Sequence, residues 1–194
     1  MFQYYYDVIL PRFGRRNVSI LLSDTDSFIF HIKNYTKNEI RWKLGDVMDF
    51  SNIPAANKMC NATRKNVPGF LKDETPAGDI VECIALKSKC YALRTRMNVT
   101  GEIIEEKKCK GITKPTVKRI RINNYRSCVS SLKAVRANMT RISVKKRTIR
   151  TILQNKVCLS SFDDKRFMLN CGKHSLPYQK EPISNVCTIC HLNV

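Results

Sequence analysis

Between residues 107 and 162 the chain has not one aspartate or glutamate, although it carries sixteen lysines and arginines there. A segment so empty of one sign has no internal counter-charge, which sets aside a mixed-charge solvated surface and points to a polyanionic partner. Long apolar runs are missing too. None approaches the ~20 residues needed to cross a bilayer, and the longest, such as Phe28 to Phe30, suit buried strands. No secretory signal, internal repeat or low-complexity tract is visible. Nine cysteines (Cys60, Cys83, Cys90, Cys109, Cys128, Cys158, Cys171, Cys187 and Cys190) are odd in number and irregularly spaced. That pattern argues against a disulfide framework and reads as the reduced thiols of a soluble intracellular protein, nuclear or cytoplasmic and not secreted. The sequons at Asn17, Asn34, Asn61, Asn98 and Asn138 are then chance matches, because glycosylation needs the secretory pathway.

What is present fits a packed protein of one domain or two small ones: 194 residues, 43% of them hydrophobic. Thirty-five Lys and Arg against sixteen Asp and Glu leave a formal net charge of +19, far more than solubility requires. Nucleic acid is the leading partner and an anionic membrane surface the second.

Hydrophobic patterning predicts an α+β fold. Phe2 to Leu10 reads as a helix entered part-way, which Pro11 and Gly14 end. Val18 to Leu22 and Phe28 to Ile32 are apolar runs around a polar turn, a hairpin signal. A short helix is expected at Lys37 to Lys43. Strands are expected at Gly69 to Lys72, Ile80 to Leu86, Lys89 to Arg94 and Glu102 to Glu106, extending the sheet that the hairpin begins. Thr113 to Leu132 has helical spacing and Ala134 to Leu153 loose alternation, so a small helix-plus-hairpin subdomain should follow a boundary near Cys109 to Gly111.

The turn inside the hairpin is Ser23-Asp24-Thr25-Asp26-Ser27. In a strand, residues i and i+2 project to one side, so Asp24 and Asp26 could present two carboxylates at a sheet edge. Hard oxygen ligands of that kind suit Mg²⁺ and a nucleotide-dependent reaction. A bare Asp-x-Asp also serves sugar-nucleotide transferases and aspartyl phosphotransferases, and in a polar turn it simply satisfies backbone donors.

The longer unit Ile20-Leu21-Leu22-Ser23-Asp24-Thr25-Asp26-Ser27-Phe28-Ile29 resembles motif C of family B DNA polymerases, where Asp-Thr-Asp-Ser joins two palm strands. Downstream and in the same order, Lys89-Cys90-Tyr91 is similar to the Lys-x-Tyr motif that holds the primer terminus. Lys108-Cys109-Lys110-Gly111-Ile112-Thr113-Lys114 and Asn124-Tyr125 resemble the palm-to-thumb junction of the protein-primed branch. Phe70-Leu71-Lys72-Asp73-Glu74 and Ser161-Phe162-Asp163-Asp164-Lys165-Arg166 look most like polymerases of Polinton or Maverick transposons and related viruses and plasmids. The resemblance implies an antiparallel palm sheet in residues 1–108, with the motif C hairpin, and a basic thumb in 109–170. It implies a DNA-directed DNA polymerase that adds deoxynucleoside triphosphates to primer-template DNA, with a terminal protein as a candidate primer. Asp26 would be the principal ligand of the catalytic Mg²⁺ ions and Asp24 its support, while Lys89 and Tyr91 would hold the primer. Motifs A and B, with the second palm carboxylate, are not among these residues, so the chain is expected to carry half of the two-metal site and to be inactive alone.

The basic block suits a thumb that grips duplex phosphates without reading sequence, with Lys110, Lys145, Lys146, Arg147 and Arg150 as its candidate contacts. A solvated basic surface or a nuclear localisation signal is the plainer alternative. In the tail, residues 171–194, the spacing of Cys171, His174, Cys187 and Cys190 resembles that of a zinc site. A non-catalytic nucleic-acid-binding protein, with or without that zinc, is the rival reading of the whole chain.

Overall fold

The computed structural model describes residues 1–53, 57–162, 166–171 and 175–177. Its helices and antiparallel strands give the α+β class expected from the patterning. The first helix runs past the proline that was expected to stop it. A π-helical turn, Tyr4–Ile9, continues as the α-helical turn Leu10–Phe13 (together α1), and Gly14 at φ +80° ends it. Pro11 supplies no N–H and its ring crowds the preceding turn, and the widened register upstream absorbs both defects.

Strands β1 (Val18–Asp24) and β2 (Ser27–Ile32) form the expected hairpin. The ladder slips between Ile20 and Leu22, leaving Leu21 as a bulge. A bulge inserts one unpaired residue and adds local twist, so Val18 and Leu22 pair to opposite faces of β2. Val18 packs with Ile9, Phe13 and Leu44 in an N-terminal core, while Asp24 at the far end of the strand meets Ser88 and Lys89. Helix α2 spans Lys37–Lys43, as expected, and begins with a capping box. The Glu39 carboxylate accepts from the Thr36 N–H at 2.7 Å, and the Thr36 hydroxyl accepts from the Glu39 N–H at 3.3 Å. From this helix Arg41 donates two hydrogen bonds to Asp73, at 2.7 and 3.0 Å, and one to the Pro76 carbonyl. Two short strands, β3 (Met48–Asp49) and β4 (Leu71–Lys72), pair in parallel.

Strands β5 (Gly78–Lys87), β6 (Cys90–Met97) and β7 (Ile103–Cys109) make an antiparallel meander. Gly78 belongs to β5 rather than to the preceding turn. A Cβ there would stand 2.7 Å from the Arg96 carbonyl oxygen, a close approach that only glycine permits. The meander does not extend the β1–β2 ladder. Among the described residues the two are separate sheets that meet through side chains and turns, because the bulged, twisted end of β1 cannot keep a straight hydrogen-bonding edge against β5.

The expected long helix divides into α3 (Lys114–Arg119) and α4 (Ile122–Ser131), with Ile120 and Arg121 extended between them. The Asn124 carboxamide accepts from the Arg121 N–H at 2.9 Å and restarts the helix. The break lets Ile120, Ile122, Tyr125 and Cys128 all reach the interior. Strands β8 (Val135–Lys145) and β9 (Thr148–Leu159) form one long ribbon, longer than the patterning suggested. A last short pair, β10 (Arg166–Met168) and β11 (Ser175–Pro177), follows.

A second core gathers Ile84, Cys90, Ala92, Cys109, Ile120, Ile122, Tyr125, Cys128, Cys158 and Leu159. It joins residues from both sides of the boundary expected at Cys109–Gly111. The Tyr125 ring is fully buried and its hydroxyl donates to the Lys108 carbonyl at 3.1 Å. Burial pushes the phenol's pKa up and keeps it a donor. Replacing Tyr125 by Phe should cost about 1–2 kcal/mol, since the carbonyl loses its partner, and replacing it by Ala about 3–5 kcal/mol through the cavity left behind. Urea unfolding of the two variants measures both.

Candidate functional site

Three hairpin tips carry Asp24 and Asp26, Lys89, and Lys145 to Arg147, and two of the tips touch. In the first, Asp24 closes β1 opposite Ser27, and Thr25 and Asp26 form the turn. Thr25 takes φ +55°, an unusual value for a β-branched residue. The Thr25 hydroxyl donates to the Asp24 carboxylate at 3.2 Å and the Ser27 hydroxyl to the Asp24 carbonyl at 3.0 Å. Because Asp26 is a turn residue outside the ladder, strand alternation does not govern it. It is exposed, with no hydrogen bond or ion pair to the described residues.

The second tip is the turn Ser88–Lys89 between β5 and β6, entered through a ladder slip at Leu86. Lys89 was expected inside a strand with Tyr91 on the same face. It lies instead in the turn at φ +59°, while Tyr91 stands in β6 opposite Ala85 and Lys108. That backbone turns the Lys89 side chain toward the first tip. Its ammonium stands 2.8 Å from one oxygen of Asp24 and 3.1 Å from the other, and the Ser88 hydroxyl donates to the same carboxylate at 3.0 Å. The Lys110 N–H donates to the Lys89 carbonyl at 2.9 Å and fixes the turn from β7's end; the Lys110 side chain is exposed.

The hydrogen bond from Lys89 is the main reason that the Asp24 carboxyl titrates below its ordinary value, with Ser88 and Thr25 adding to it. Tyr91 is half-buried, and burial first, then Glu106, raises its phenol. Asp24 therefore has both oxygens engaged and Asp26 has both open. Open hard oxygens fit a magnesium ion, whereas at Asp24 an ion would share the carboxylate with Lys89. Among the described residues no group of three His, Cys, Asp or Glu side chains is placed to hold a metal ion. A mainly apolar groove of ≈ 460 Å³ beside β1 is lined by Leu21, Cys83, Ile84, Ala85 and Val129 with Arg126 and Ser130, and neither aspartate borders it. Of the candidate zinc ligands, Cys171 is described, while His174, Cys187 and Cys190 lie outside the described residues.

The third tip ends the β8–β9 ribbon. Lys145 pairs with Thr148, and the turn residues Lys146 and Arg147 take φ +49° and +62°. Two-residue hairpins favour that hand, and Asn-Gly is the pair that adopts it without strain. The left-handed region costs other residues roughly 1–2 kcal/mol each. Lys146, Arg147 and Arg150 are all exposed. Cations thus occupy positions that local stability would give to Asn and Gly, a departure expected where side chains serve a ligand. The sequence signal for this tip was charge density alone; the strain was not legible there. Patterning also missed Ser88, which has no charge and no motif to mark it.

Two outcomes follow. Lys146→Asn with Arg147→Gly should stabilise the chain by about 1–2 kcal/mol in urea unfolding. Because the folded Asp24 carboxyl is depressed, its pairing with Lys89 stabilises the fold above the ordinary carboxylate range and is lost as pH falls through the depressed value. In a carboxyl-carbon NMR titration, Lys89→Met should move the Asp24 midpoint up toward the ordinary value; an unmoved midpoint would show that Lys89 is not the cause.

No family model, no curated protein and no solved structure matches the chain.

Proposed function

We propose that residues 1–194 supply the motif C and thumb part of a family B DNA polymerase of the protein-primed branch. The observation that carries this reading is the contact of Lys89 with Asp24, 2.8 Å across a separation of 65 residues. Two short motifs that the resemblance assigns to one operation, holding a primer end beside catalytic metal ions, meet at one point of the fold. A chance Asp-x-Asp and a chance Lys-x-Tyr have no reason to do so.

In this reading Asp26 presents the open carboxylate and Asp24 is held in reserve by Lys89. A primer phosphate arriving at the turn competes for the Lys89 ammonium, which frees Asp24 at the moment DNA is bound. Tyr91 offers an apolar ring with a polar end toward the sugar or base. Bound magnesium would supply Lewis-acid stabilisation of phosphoryl oxygens and ease deprotonation of the primer hydroxyl. The second carboxylate that such a site needs would come from the strand carrying motif A. The cationic ribbon holds product duplex by its phosphates, a grip that is independent of sequence and sensitive to salt.

A non-catalytic nucleic-acid-binding role is the second reading. The strained cationic tip of β8–β9 favours it, since that tip serves DNA without the aspartates.

Paramagnetic Mn²⁺ separates the two. On the polymerase reading it should broaden the amide signals of residues 23–28 selectively, and Asp26→Asn should abolish the effect while leaving DNA affinity unchanged. Absence of broadening at that turn would leave only the binding role. With magnesium, primer and template, residues 1–194 alone should give no templated extension. Arg150→Ala should weaken duplex binding and lower the slope of log affinity against log salt by about 1, the signature of one lost phosphate contact.

A further inference from the structure

The ladder register of β8–β9 sorts its side chains into two unlike faces. Ile142, Val144, Ile149, Leu153 and Val157 fall on one face, and Arg141, Arg150 and Lys156 on the other. The inner, cationic face is seated on the body of the protein at its base: Met139 is buried, and the Lys156 ammonium donates to the Gly111 carbonyl at 3.1 Å. The outer face carries no element among the described residues. Ile142 is 74% exposed, Val144 67%, Ile149 72% and Leu153 73%. A two-stranded ribbon with a bare aliphatic face is at best marginal in water, and a second packed layer is the usual remedy.

We propose that this outer face pairs two copies of the chain, ribbon against ribbon. The distribution of charge selects that occupant. The only charged side chain on the face is Arg136, and it is turned to Asn155, with which it forms a hydrogen bond at 2.6 Å. An acidic protein would find one cation on that face, Arg136, already engaged with Asn155, and an anionic lipid surface would find Arg141, Arg150 and Lys156 on the opposite face. A second copy brings the same uncharged aliphatic surface, is self-complementary about a two-fold axis, and leaves both cationic faces outward. Five aliphatic side chains from each copy bury on the order of 1,000 Å² in total, the lower bound of a specific interface, the size class of weak and transient pairs. The two outward faces would then hold two stretches of duplex. That consequence rests on the proposed role of the ribbon in binding nucleic acid; the pairing itself does not.

Sedimentation equilibrium of the full chain, at protein concentrations spanning the micromolar range, tests the pairing. A monomer–dimer equilibrium is expected, tighter at about 0.5 M salt than at about 0.1 M, because screening relieves repulsion between two cationic chains. DNA binding should weaken over the same range. Ile142→Asn with Leu153→Asn should raise the dimer dissociation constant at least tenfold with an unchanged circular dichroism spectrum, since both side chains are exposed. Arg150→Ala should leave the dimer intact and weaken DNA binding, so failure of the pairing and failure of the nucleic-acid reading are read separately. A chain that stays monomeric at high salt, a dimer indifferent to the double substitution, or a monomer that binds phosphatidylserine vesicles through Ile142 and Leu153 would each overturn the proposal.

Discussion

The fold turns on the buried ring of Tyr125, whose hydroxyl donates to the Lys108 carbonyl. It closes a core to which β5, β6, β7, α4 and β9 all contribute, so the meander, the helix and the base of the ribbon hold their places together. The consequence reaches the surface within two residues. Cys90 and Cys109 are cross-strand partners in that core, and just beyond them the Lys110 amide holds the Lys89 carbonyl. The Lys89 side chain then reaches Asp24. A ring with no exposed surface thus sets the position of a charge in contact with solvent, which is how packed interiors transmit geometry.

A common device appears at all three tips. Thr25, Lys89, Lys146 and Arg147 occupy positive φ, where glycine or asparagine would be at ease. Each carries or adjoins a group with chemistry to offer: a carboxylate pair, an ammonium, a cationic point. Left-handed backbone in a two-residue turn aims side chains away from both strands, and the penalty is met by the ladders that close the turns. The β1 bulge works in the same spirit, since one strand serves the N-terminal core at Val18 and the acidic turn at Asp24.

Much of the element order was legible because local rules were obeyed. Helix α2 lies where it was expected, and the structure shows a capping box at its start; the meander announced itself by β-branched runs between turn residues. Errors arose where a tertiary demand overrode a local rule. Pro11 stands inside a helix because the turn before it widens. Ile120 breaks a continuous helical pattern because two directions are needed to bury Ile120 and Tyr125 at once. Lys89 was read as a strand residue because Ser88-Lys89 carries none of the usual turn signals. The meander was joined to the first hairpin because a sequence does not show that a bulge has bent the edge.

By itself the sequence determined the α+β class, the concentration of positive charge beyond residue 106 and the identity of the motif residues, since composition and short-period patterning are local properties. Only the tertiary structure decided that Lys89 meets Asp24, that Asp26 stands open, and that the ribbon separates aliphatic from cationic side chains along most of its length. The first depends on a contact between residues 65 apart, for which no local period exists, and the second on Asp26 standing in the turn, outside the ladder. The third depends on register, where a shift of a single residue exchanges the two faces of a strand.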